Sequence, residues 1–211
     1  MIHLSQHADH PFAVAPCALS SEECQSLIDL SEEVGFRPAI INGQFNGPRG
    51  FTVRNGQSKH RAALEDIPLA NTLWQRLARH IPAALDGKRV IGLNERLRFY
   101  RYDEAEHFSA HTDGYYVRDN GEQSLLTLMI YLNSDYRGGE TVFSDLETVV
   151  TPQTGTVLLF DHRLWHEGLP IQSGRKYVLR TDVMYGTKPA TNAGFTEGKF
   201  VEEQTNRPAN R

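Results

Sequence analysis

From about residue 90 onward the chain breaks into short β-rich segments: RVIGL, ERLRFYRY, SLLTLMIYL, ETVF, TVLLF and RKYVLRTDVMY. Clusters of Gly, Pro, Asn and Asp separate them. Many short strands at this spacing predict an all-β barrel or sandwich. The first third differs and reads as helices and loops. Ser20 with Glu23 forms a capping box, and Cys24, Leu27, Ile28 and Val34 then share one helical face up to a stop at Gly35. A second helix begins near Asp66-Ile67-Pro68, with Leu69, Leu73, Trp74, Leu77 and Ile81 at helical spacing and Pro82 limiting it. Residues 35–56 between them carry turn signals and little periodicity, as a flap or one or two short strands would. The chain is polar from Thr187 on and reads as a tail or surface wrap. The expected organisation is one domain over 1–211. Helical and loop support with a candidate lid covers 1–90, a β core covers 91–186 and a C-terminal tail covers 187–211.

A chain of 211 residues, 39% hydrophobic and 23% charged, can bury a full core without staples. Its net charge of −4 and its lack of any Lys/Arg run argue against a nucleic-acid partner. Two cysteines, Cys17 and Cys24, are too few for a disulfide framework or a structural zinc site, and suit a reducing cytoplasm. The start, MIHLSQHADH, lacks the basic and apolar regions of a signal peptide. No apolar run approaches the roughly 20 residues that span a bilayer. A soluble, cytoplasmic protein without a membrane partner is expected.

Nine histidines invite a search for a metal site. His107/His111 and His162/His166 have i, i+4 spacing, which on a helix would aim both rings at one ion. The surrounding text is strand-like instead, and residues four apart on a strand lie about 13 Å apart. Both zinc readings are rejected. His111 and Asp113 differ, because positions i and i+2 of a strand point the same way, about 6.6 Å apart. His166, far along the chain after TVLLFDHRLW, offers a third donor. Two imidazoles and one carboxylate make a facial triad that leaves open positions on Fe(II). H-x-D alone is a weak signal, and the surrounding text must support it.

That text runs LRFYRY, FSAHTDG, LTLMIYLNSDYRGGETVF, GTVLLFDHRLWHEG and SGRKYVLRTDVMY between Leu97 and Tyr185. It resembles the prolyl 4-hydroxylase-like branch of the 2-oxoglutarate/Fe(II) dioxygenases. The resemblance implies a fold that is mainly β with supporting helices, around a double-stranded β-helix (jelly-roll) core. It implies His111, Asp113 and His166 as iron ligands. Lys176 and Tyr102 are the implied partners of the far carboxylate of 2-oxoglutarate, with Tyr131 lining the same pocket. The implied cofactors are Fe(II), 2-oxoglutarate and dioxygen, with ascorbate as a candidate reductant. The implied reaction hydroxylates an unactivated C–H bond and releases succinate and CO2, and a retained Asp113 predicts hydroxylation over halogenation.

Arg175 competes with Lys176, since neighbours on a strand face opposite ways and both faces here carry apolar groups. If Lys176 faces inward, so does Arg180, which then needs an anionic partner: Asp182, the near carboxylate of 2-oxoglutarate, or the substrate. Thr127 and Met129 alternate with Tyr131 and are expected to line the cosubstrate pocket. Loops at 35–58 and 114–123, with Arg54, Asn55, Tyr115, Tyr116 and Arg118, are candidate substrate contacts. The substrate expected by analogy is a prolyl or peptidyl residue, with a free amino acid or small metabolite as the alternative. A non-catalytic cupin-like metal binder, or a 2-oxoglutarate or oxygen sensor, is the rival outside enzymes.

Overall fold

Two larger antiparallel sheets face each other, two helices cover the back of the larger of them, and Arg137–Gly138 pairs with Ile171–Ser173 as a third, two-stranded sheet. This computed structural model describes residues 10–38 and 60–187 in full, and the strands His3–Leu4 and Gly198–Val201 by their backbone. The larger sheet runs His3–Leu4, Phe12–Ala15, Val157–Asp161, Gln123–Tyr131, Lys176–Gly186, Arg96–Tyr102, His60–Glu65, Arg37–Pro38. Lys88–Leu93 pairs with the far end of Lys176–Gly186, and Tyr115–Arg118 joins at Gln123. The smaller sheet runs Thr148–Val150, Thr141–Phe143, His166–Gly168, Phe108–His111.

The pleat sorts the central strands into two cores. Leu126, Leu128, Ile130, Leu179, Val183 and Tyr185 point back toward Leu27, Leu73 and Leu77 of the helices. Their alternates, among them Tyr131, Val178, Tyr100 and Tyr102, point between the sheets toward Phe143, Phe160 and Leu164. Every residue of Lys176–Gly186 is therefore buried. Such a strand has no wet face, so polar groups on it need partners inside the protein.

The first helix, Ser21–Val34, has both halves of the capping box, with Ser20 Oγ accepting from Glu23 N–H and Glu23 accepting from Ser20 N–H. Gly35 closes it at φ +86°. Cys24 and Leu27 are buried as expected. Val34 is not: it is 38% exposed, and Ser31 fills the face instead, its hydroxyl bonded to the Ile28 carbonyl. The second helix, Ile67–Leu77, starts at an Asp66 N-cap and ends a turn earlier than its apolar spacing. Ala78–His80 continues as a tight 3-10 turn that still buries Ile81.

The first third also supplies strands that its sequence does not announce. Phe12–Ala15 pairs with Val157–Asp161, and His60–Glu65 pairs with Arg96–Tyr102. HRAALE is rich in helix-favouring residues, and pairing with a buried neighbour overrides that preference. Most of the 35–58 loop falls at 39–59, outside the described residues. Within the polar C-terminal stretch, Gly198–Val201 pairs with Tyr115–Arg118.

Candidate active site

His111 ends one strand of the smaller sheet and sits opposite His166, the first residue of its neighbour. Their ring centroids are 4.2 Å apart. Asp113 lies two residues past the strand end rather than on the strand. Its N–H donates to the His162 carbonyl at 2.9 Å, which returns the chain toward the two rings. Asp113 Oδ1 is 3.5 Å from His111 Nε2, and Oδ2 is 3.8 Å from His166 Nε2. One donor atom from each of the three residues lies within 4.8 Å of the others.

The hydrogen bonding settles which ring atoms are free. His111 Nδ1 donates to the Ser109 carbonyl at 2.9 Å, and His166 Nδ1 donates to the Leu164 carbonyl at 3.0 Å. Both Nε2 lone pairs then face the carboxylate, and His111 Nε2 is buried without a hydrogen-bond partner. Burial lowers the His166 pKa to about 3 against the pull of Asp113, so its ring is neutral. Burial alone would raise Asp113, but Arg180, His166 and His111 outweigh it and hold the carboxyl well below its usual range. Two imidazoles and an ionised carboxylate aimed at one point form a donor set that a divalent ion completes. Phe143 stacks on His166 at 5.6 Å and Phe160 meets its edge at 4.7 Å, which fixes the ring in a dry setting.

The rejected i, i+4 pair is separated by a turn between Asp161 and His166, so His162 does not reach the same point. In a second group, His60, Asp103 and Glu106, the two carboxylates already have partners. Asp103 pairs with Arg175, and Glu106 accepts the Asp103 N–H.

Lys176 faces between the sheets and is buried, while Arg175 faces outward to Asp103. Tyr102 lies directly across from Lys176 on the neighbouring strand. The ammonium donates to the Gly139 carbonyl at 2.6 Å and lies 5.2 Å from the Tyr131 ring centre and 5.6 Å from that of Tyr102. Burial lowers its pKa to about 7. Tyr131 is itself held by a 2.6 Å hydrogen bond between its hydroxyl and that of Thr141. Gly139 is required here: its φ is +72°, and a Cβ would lie 2.6 Å from Ile171 Cδ1.

Arg180 also points inward. Its Nη1 is 2.7 Å from Asp113 Oδ1, and its Nη2 is 3.6 Å from Asp182 Oδ1. Asp182 in turn pairs with Arg98. Asp182 was among the anticipated partners, whereas Asp113 was not. Thr127 has a partner that its sequence does not announce, because its hydroxyl donates to Asp113 Oδ2 at 2.6 Å. The available signal was its position on Tyr131's face of the strand. In the 114–123 segment, Arg118 is taken by Glu95 and Glu122, and Tyr116 is buried. Arg54 and Asn55 lie outside the described residues.

Residues 97–181 match the model of the 2OG-Fe(II) oxygenase superfamily, a span that contains His111, Asp113, His166, Lys176, Tyr102, Tyr131, Thr127 and Arg180. A relative from Acanthamoeba polyphaga mimivirus, provisionally named a prolyl 4-hydroxylase, is 22% identical over 201 residues, 86% of this chain and 72% of its own. Prolyl 4-hydroxylase 2 of Arabidopsis thaliana is 23% identical over 192 residues, 75% of this chain and 62% of its own. The viral collagen prolyl hydroxylase of Paramecium bursaria Chlorella virus-1, solved with 2-oxoglutarate, superposes with a TM-score of 0.55 at 22% identity, covering 84% of this chain and 96% of that one. A Trichoplax adhaerens prolyl hydroxylase, solved with a peptide of the hypoxia inducible factor oxygen degradation domain, gives 0.57 at 19% identity and 82% of each chain.

Proposed function

We propose that residues 97–181, which match the 2OG-Fe(II) oxygenase superfamily model, form a 2-oxoglutarate/Fe(II) oxygenase core of the prolyl 4-hydroxylase-like kind, and that the chain uses it to hydroxylate a prolyl or other peptidyl side chain, releasing succinate and CO2. The observation that carries this reading is the meeting of His111, Asp113 and His166 within 4.8 Å, with a buried cation, Lys176, on the inner face of the adjoining sheet. His111, Asp113 and His166 would hold Fe(II), which would supply dioxygen activation coupled to decarboxylation of 2-oxoglutarate.

The chain's own residues bind and orient. Lys176 receives the far carboxylate, with the Tyr102 and Tyr131 rings excluding water on either side. A carboxylate taken out of water needs a charged donor to replace its lost hydrogen bonds. Lys176 has donors left beyond its one bond to Gly139. Arg180, four residues on along the same face and paired with Asp113, would receive the near carboxylate. A second reading, a free amino acid or small acid as substrate, draws support from Arg180. Its cation beside the metal site would also suit a carboxylate carried by the substrate itself.

The test is succinate release by Fe(II)-loaded protein with 2-oxoglutarate, against proline-containing peptides and, separately, free amino acids. Peptide-dependent succinate with a matching mass gain of one oxygen is expected. Release driven only by free amino acids selects the second reading. No 2-oxoglutarate turnover with any substrate, from protein that binds iron, rejects both.

A further inference from the structure

We propose that His162 is a positioning residue for the metal-binding carboxylate, acting through Thr127. The proposal rests on the reading that His111, Asp113 and His166 hold a divalent ion. It assigns a role to a histidine that the metal site leaves out.

The polarity of each hydrogen bond follows from counting protons. Ionised Asp113 can only accept, so Thr127 commits its one hydroxyl proton to Oδ2, at 2.6 Å. Thr127 Oγ1 can then only accept from His162 Nδ1, which is 3.0 Å away, so Nδ1 carries the ring proton. The bare Nε2 accepts from Ser124 Oγ at 3.0 Å, and Ser124 Oγ accepts the Tyr116 N–H at 2.8 Å. The result is a chain of fixed direction from a backbone amide of the Tyr115–Arg118 strand to the carboxylate.

His162 also grips Asp113 through the backbone, because its carbonyl accepts the Asp113 N–H at 2.9 Å. Its own N–H donates to the Leu125 carbonyl at 3.2 Å. Every polar group of a residue that is only 5% exposed is thereby used, and two of them act on Asp113. Asp113 sits beyond the end of its strand, where no ladder fixes its side chain. Thr127 on one oxygen and Arg180 on the other set the rotation of the carboxylate. His162 Nδ1 at 3.0 Å is the shorter of two donors to Thr127 Oγ1, the other being Arg180 Nη2 at 3.4 Å, and together they set the rotation of the hydroxyl that Thr127 turns toward Asp113. The i, i+4 spacing thus has a reason. One turn sends His166 to the ion and His162 to the carboxylate behind it.

Anaerobic titration of the full chain with Co(II), followed by visible absorbance, tests this. Replacing partners of metal ligands typically weakens metal binding about 10- to 100-fold. His162→Leu and Thr127→Val should each weaken Co(II) by that amount and alter the band. The double variant should be no worse than Thr127→Val alone, since both act by one route. His162→Asn, whose amide N falls near Nδ1, should recover most of the affinity. His162→Gln, whose amide reaches toward Ser124, should not. The Asn/Gln comparison decides the matter if His162→Leu does not fold, as judged by circular dichroism. Equal Co(II) affinity in Asn and Gln variants, wild-type affinity in His162→Leu, or losses that multiply in the double variant would each overturn the proposal. A wild-type chain that binds no Co(II) would instead reject the metal site itself.

Discussion

Lys176 shows how one burial decision sets chemistry. An ammonium with a pKa lowered to about 7 is largely neutral above that pH. Binding a carboxylate favours the charged form and raises the pKa again. The sign follows: above pH 7, 2-oxoglutarate binding must take up a proton, and affinity falls as pH rises. Calorimetry in two buffers of different ionisation enthalpy should find uptake near zero at about pH 6 and approaching one proton at about pH 8.5. Lys176→Met should abolish the uptake and weaken binding strongly. Arg175→Ala should change neither, because its pair with Asp103 is exposed and such pairs contribute little. Uptake that survives in Lys176→Met would place the receiving group elsewhere. Alternation alone could not choose between these two residues. Lys176 shares its face with Val178 in one core, while Tyr177 and Leu179 enter the other, so both faces read as apolar. The resemblance favoured Lys176, and the fold buries it. Arg180's contact with Asp113 was hidden for a different reason: it joins a strand of the larger sheet to a residue just past a strand of the smaller, and no local pattern encodes that meeting.

Among the elements, those whose signals are local were the most legible. The capping box of Ser21–Val34 needs only Ser20 and Glu23, three residues apart, and both of its bonds form. Ser20→Ala should cost about 1 kcal/mol, read as a lower denaturant midpoint, with Co(II) and 2-oxoglutarate affinities unchanged, because this helix packs on the back of the larger sheet. The strand Phe12–Ala15 was not legible, since four residues are too few to show a period and their partner lies at Val157–Asp161. The Gly138–Gly139 turn stands between these cases. Two adjacent glycines announce a turn, and both take positive φ, but only the fold shows that the second carbonyl holds Lys176. Gly139→Ala should therefore act twice. A left-handed non-glycine residue costs on the order of 1–3 kcal/mol, and the added Cβ would also press on Ile171. A lower melting temperature should come with weaker 2-oxoglutarate binding and unaltered Co(II) binding. A Co(II) loss as large as the 2-oxoglutarate loss would mean that the turn supports the whole site and not the Lys176 pocket.

The molecule as a whole is two sheets of unequal strength with the site between them. The larger sheet is long-stranded and buried on both faces along Lys176–Gly186, with helices behind it. The smaller sheet has four strands of three or four residues each, and two of those strands carry His111 and His166. Asp113 connects the two, since its carboxylate bonds Thr127 and Arg180 of the larger sheet while facing both imidazoles of the smaller. A divalent ion bound by all three residues would therefore tie the weaker layer to the stronger one. An ion that binds only the folded chain stabilises it by about 2.7 kcal/mol at 100 times its Kd. Hydrogen exchange should show where. Amides of Phe108–His111 and His166–Gly168 should exchange well before those of Gln123–Tyr131 in metal-free protein, and Co(II) should slow the first group far more than the second. His111→Ala should remove both the rise in melting temperature and this selective protection. If Co(II) instead slowed exchange equally throughout, or raised stability in His111→Ala as much as in the wild type, the ion would be binding somewhere other than across the two layers.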